Sequence, residues 1–183
     1  MRQEIIAKRY SRALFSIGQE EGLKALKKYG EELGAIAGLV EKEPMLLRIF
    51  KNPLIRVEDK KALMENIAKK IGASTVIKNF LMLLAEKKRL PYVLDIKNYY
   101  QRLLDRYEGI IRGQLVTAIE LDKNKRSKIA KKLEKQVGKK CILDFVVDKE
   151  ILGGVVLKVG DKVYDASLRA QLNILKEKIK RGE

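Results

Sequence analysis

Carboxylate pairs such as Asp161 and Asp165 could in principle do acid–base work, because such a pair can divide the roles of proton donor and acceptor. Their settings point elsewhere. Gly160-Asp161 lies between two β-branched runs and reads as a turn, and Asp165 stands just ahead of a helix start, where a carboxylate favours the N-terminal dipole. Both read as structural. Cys141, the single cysteine, opens an alternating run and reads as a small buried residue rather than a nucleophile. The chain has no histidine, which excludes a Ser-His-Asp triad and any His-ligated metal. One cysteine cannot form an internal disulfide or a multi-cysteine zinc site. No GxxxxGK sequence is present, and Gly153-Gly154 leads into a β-branched run instead of a helix, so neither phosphate-cradling motif applies. No catalytic residue, metal or cofactor is expected.

Charge is the stronger signal. Across 183 residues, 40 Lys+Arg face 24 Asp+Glu, a net +16. Such a field suits nucleic acid, an anionic membrane surface or an acidic protein partner. The densest stretch carries Lys123, Lys125, Arg126, Lys128, Lys131, Lys132, Lys135, Lys139 and Lys140 against Glu134 alone. No aromatic is interleaved with these cations, which argues against a single-strand stacking platform. The stretch reads first as a solvated helix face, with phosphate or acidic-partner contact as the functional alternative. An apolar fraction of 46% with 35% charged residues describes a folded globular chain. No uncharged run approaches the roughly 20 apolar residues of a membrane span, and the N-terminal MRQEIIAKRYSRALF reads as structure, not a targeting segment.

The elements that would position these residues fall into two groups. Up to about residue 108 the apolar spacing is helical. Ile6, Tyr10, Ala13, Leu14 and Ile17 share one face of a first helix, ended by Gly18 and Gly22. A second helix carries Leu26, Leu33, Ile36, Ala37 and Val40, with Gly30, Gly34 and Gly38 in a stripe that either admits a close neighbour or loosens the helix. A short helix spans Met45 to Phe50, and a fourth aligns Leu63, Ile67 and Ile71 up to Gly72. The fifth, VIKNFLMLLAEKKR, follows the cap candidates Ser74 and Thr75 and is apolar nearly all round, as suits the centre of a bundle. The sixth starts near Pro91. From Gly109 to Gly113 the pattern changes, as at a joint between domains. Residues 115–121 and 141–147 alternate as strands about a basic helix, and GGVVLKVGDKVYD reads as a type II′ hairpin on Gly160-Asp161. Ser167 is the N-cap candidate for a last helix striped by Leu168, Leu172, Leu175 and Ile179. The expected class is α+β, with an N-terminal six-helix bundle over 1–108 and a small mixed α/β domain over 112–183.

Three segments in this order resemble the delta subunit of F-type ATP synthase, the oligomycin-sensitivity-conferring protein family. AKRYSRALF is similar to the opening helix signature, NFLMLLAEKKRL to the fifth-helix signature, and ILGGVVLKVGDKVYDASLRAQLNIL to the C-terminal pattern. In the last, the matching positions are Gly153, Gly154, Gly160, Asp161, Asp165, Ser167, Leu168, Leu172 and Leu175, which read as fold-making.

The resemblance implies a non-catalytic stator subunit on the peripheral stalk. Its helical bundle would bind N-terminal helices of the alpha subunits, and its C-terminal domain would hold the b subunits. The chain would thereby stop the catalytic head turning with the rotor. Carried over residue by residue, the alpha-subunit site would comprise Tyr10, Ala13 and Leu14 on the first helix with Phe80, Leu81 and Leu84 on the fifth. Core filling competes with contact at each of these six positions. The location implied is peripheral, on the cytoplasmic face of the bacterial inner membrane, with membrane reached only through the complex and no specific nucleic acid bound. The composition keeps a basic helical adaptor for nucleic acid open as the alternative, although no recognition motif for it is visible. An enzyme is the third class.

Overall fold

The structure is a computed structural model that describes residues 2–181. Packing divides the chain into two compact units, Met1–Leu104 and Asp105–Glu183.

The first unit is helical. Its elements are α1 (Arg2–Glu21), α2 (Leu23–Lys42), α3 (Pro44–Lys51), α4 (Val57–Lys70), α5 (Thr75–Glu86), a 3-10 turn over Leu90–Tyr92, and α6 (Val93–Glu108), whose last turn falls in the second unit. One core holds them together, with Leu14, Leu26, Leu33, Ile36, Met64, Ile77, Leu81, Leu84 and Ile96 all sealed from solvent. Its buried hydroxyls are satisfied: Ser11 Oγ donates to the Ile96 carbonyl at 2.6 Å, and Tyr100 donates to the Leu26 carbonyl at 3.0 Å. Ser74 caps α5, its side chain accepting from the Ile77 amide, and its own hydroxyl donates to Glu32 at 2.6 Å.

Gly18 does not end α1. The helix runs through it, and a Cβ there would lie 2.9 Å from the Leu26 side chain, so this glycine admits α2. Of the α2 stripe, only Gly30 meets a neighbour, Tyr100 at 3.4 Å from the position of a Cβ; Gly34 and Gly38 face open space. Helix α5 stops at Glu86 and leaves Lys87, Lys88 and Arg89 outside it, and Pro91 opens the 3-10 turn rather than α6 itself.

The second unit carries a four-stranded mixed sheet in the order β2-β1-β3-β4, from β1 (Ile110–Thr117), β2 (Lys140–Val147), β3 (Gly154–Val159) and β4 (Lys162–Ser167). Strands β1 and β2 are parallel, joined through α7 (Lys123–Val137), while β1–β3 and β3–β4 are antiparallel. Its core is small, built on Val116, Ile151 and Val156. The last helix is α8 (Leu168–Arg181).

Strand β1 begins five residues earlier than alternation alone indicates, and residues 118–122 are irregular. The reason lies in the parallel partner: Ile110 to Thr117 align one to one with Lys140 to Val147. Gly113 therefore belongs to the sheet, not to a joint, and a Cβ there would come 2.8 Å from the Lys158 carbonyl.

Candidate partner-binding groove

Residues at three-four spacing on α1 and α5 line one groove. Tyr10, Ala13 and Ile17 come from α1; Phe80 and Leu83 come from α5, with Lys87 just beyond its end. The groove has a volume of about 430 Å³, with Leu14 in its lining and Arg9 on the α1 side. Tyr10 packs edge-on against Phe80, the ring centroids 6.4 Å apart, a favourable aromatic geometry. Ile17 and Leu83 are the open anchors, at 45% and 42% exposure. Lys87 donates to Glu86 at 2.9 Å, and this carboxylate raises its pKa.

The six positions carried over from the resemblance divide by face. Tyr10, Ala13, Leu14 and Phe80 line the groove, Leu14 and Phe80 as buried floor and Ala13 at the surface. Leu81 and Leu84 are wholly buried in the helical core and do not line it. Ile17, Leu83, Arg9 and Lys87 also line it and are not among the six. The signal for the first two was present: Leu83 lies on a helix apolar all round, three residues after Phe80, and Ile17 lies four residues after Ala13.

The C-terminal glycine motif makes structure. Gly154 has φ +79°, and a Cβ there would run into the Ala166 carbonyl oxygen. Gly160, at φ +56°, starts the two-residue turn between β3 and β4, while Asp161 stays out of the left-handed region; this is the type II′ signature. Asp165 accepts from the Ser167 amide at 2.9 Å, and hydrogen bonding from Ser167 holds its carboxyl below the usual range. Ser167 Oγ in turn accepts from the Ala170 amide at 3.1 Å, capping α8. The Leu168 amide donates to the Gly153 carbonyl at 3.0 Å, and its side chain packs where a Gly153 Cβ would sit. Asp165 and Ser167 are thus engaged in turning the chain from β4 into α8.

The family model described as ATP synthase delta (OSCP) subunit matches residues 6–179. The chain belongs to this family. The ATP synthase subunit delta of Oleidesulfovibrio alaskensis is 55% identical over 183 residues, covering 100% of both chains. That of Solidesulfovibrio magneticus is 54% identical with the same coverage. A chain of the Toxoplasma gondii mitochondrial ATP synthase hexamer has the same fold, with a TM-score of 0.73 at 19% identity over 94% of this chain and 96% of that one. A delta-family chain is a structural stator subunit of F-type ATP synthase, not a catalytic one. It is a peripheral component of the membrane complex, and no helix among the described residues is long and apolar enough to cross a membrane.

Proposed function

We propose that this chain ties the catalytic head to the peripheral stalk by two contacts, one on each unit. In this reading α1 to α6 act as one six-helix bundle ending near residue 108, and the α1/α5 groove receives the N-terminal helix of an alpha subunit. The observation that carries the reading is the pair of half-exposed anchors, Ile17 and Leu83, across one groove with Arg9 and Lys87 in its lining. An amphipathic helix with apolar side chains inward and carboxylates at its flank complements such a surface. Each large side chain buried contributes about 1.5–3 kcal/mol, so two or three anchors are enough for binding after the peptide has been ordered.

The second contact is to the b subunits through the domain beginning near residue 112. It is supported by α8, whose stripe of Leu168, Leu172, Leu175 and Ile179 is exposed along its length. Exposed apolar stripes of this size mark partner surfaces. The site of action in this reading is the cytoplasmic face of the bacterial plasma membrane.

A synthetic peptide of the alpha-subunit N-terminus, titrated against the protein, tests the groove. Ala13→Asp places a carboxylate in the groove at an exposed position. It is expected to abolish binding while circular dichroism and the melting midpoint stay near wild type. Leu84→Ala, in the core, is expected instead to lower stability by about 2–5 kcal/mol. A folded Ala13→Asp variant that binds the peptide as tightly as wild type rejects the groove.

A further inference from the structure

A second cavity, of about 610 Å³, opens in the helical unit and shares no lining residue with the α1/α5 groove. Its charged lining residues are Lys51, Lys60, Lys88 and Asp95, so three ammonium groups against one carboxylate leave an excess of two positive charges.

Lys60 is not an ordinary surface lysine. It is 7% exposed, and its ammonium donates to the carbonyls of Phe50 at 3.0 Å and Asn52 at 2.7 Å. An ammonium has three donors, so these two bonds leave one unused. No carboxylate pairs with Lys60 among the described residues. The two carbonyls close the C-terminal end of α3, whose dipole favours a cation, but no formal counter-charge accompanies the buried ammonium.

Lys88 supplies an independent observation. Its backbone is left-handed, with φ 55°. The Lys88 amide donates to the Ala85 carbonyl at 3.0 Å and the Arg89 amide to the Leu84 carbonyl at 2.7 Å, the paired bonds that close a helix at a residue that is usually glycine. A lysine occupies that strained position here, and it lines the cavity. A residue other than glycine kept at such a backbone position, beside a cavity, motivates a functional reading of it.

We propose that this cavity binds a small phosphoryl anion, either free phosphate or the phosphoryl groups of a nucleotide, on the ammonium groups of Lys51, Lys60 and Lys88. The cavity volume falls within the range of about 300–1,000 Å³ usual for small-molecule sites. A phosphate dianion balances the two excess charges, and its oxygens accept from Lys60's remaining donor. The proposal is independent of the stator contacts.

The test is the melting midpoint of the full chain with inorganic phosphate, pyrophosphate or ATP, each against sodium chloride of equal ionic strength. At least one probe is expected to raise the wild-type midpoint above its salt control. A response to inorganic phosphate assigns the free anion, and a response to ATP alone assigns the nucleotide. Lys88→Gly removes a cation and restores the residue that the backbone favours. Its midpoint without ligand should rise, while its ligand-induced shift falls at least threefold; Lys51→Ala should lose the shift by a similar factor. Lys60→Met addresses the buried ammonium, and should it fail to fold the other two variants still decide. The proposal is overturned if no probe exceeds its salt control, or if folded Lys88→Gly and Lys51→Ala keep the full shift.

Discussion

Leu83 and Leu84 are neighbours with opposite surroundings: one meets solvent in the groove and the other is sealed in the core. The same division of labour holds for polar groups in the helical unit. Tyr29 is buried, and its hydroxyl donates to Glu21. Burial first, and then that acceptor carboxylate, push the phenol up to about 12. A folded pKa above the unfolded value of about 10 means that the stabilisation is complete below pH 10 and is lost as pH rises toward 12. Tyr100, raised by burial, acts in the same direction. Denaturant midpoints measured from pH 8 to 11.5 are expected to fall steeply above pH 10 for wild type and less steeply for Tyr29→Phe. An unchanged alkaline limb in the variant would contradict this account of Tyr29. At this scale the sequence separates core from contact poorly. Tyr10, Leu14, Phe80, Leu81 and Leu84 are all apolar or aromatic at helical spacing, and only the rotation of α1 and α5 against the core decides which faces outward.

Among elements, α4 and α5 form a close pair, joined outside the core by Glu65. Its carboxylate lies 2.9 Å from Lys78 on α5 and 3.3 Å from Lys69 on its own helix. Hydrogen bonds from Lys78 and then Lys69 hold its pKa below the ordinary glutamate value. A depressed folded pKa contributes stability above the unfolded value, near 4.3, and loses it as pH falls. Glu65→Gln should therefore be slightly less stable than wild type at neutral pH and show a shallower acid limb below about pH 4.5. Parallel acid limbs would remove Glu65 from the pairing of these helices. The helices were legible because 3.6-residue periodicity is written within each segment. The beginning of β1 was not, because Ile110 to Gly113 are held by pairing with residues thirty positions later, after the α7 crossover. Gly18 misled for a related reason: a glycine that ends a helix and one that admits a neighbouring helix look alike until the neighbour is in place.

For the molecule as a whole, part of the net charge of +16 sits on α7. The lysines of α7 lie on a helix whose inner residues, Ile129 and Leu133, are part-buried, while Lys128, Lys131, Lys132 and Lys135 are exposed. Such a face is expected to bind polyanions by counterion release alone. DNA binding is expected to be weak, indifferent to sequence and lost steeply between about 50 and 200 mM salt, as filter binding would show. Sequence-selective binding at physiological salt would favour the adaptor reading. Affinity purification of the tagged protein from solubilised membranes, wild type beside Ala13→Asp, decides whether one chain links head to stalk through separate surfaces. Wild type is expected to bring down alpha, beta and b subunits, and the folded variant to keep b while losing alpha and beta. Retention of the head by the variant, or purification of neither head nor stalk with wild type, would contradict that linkage.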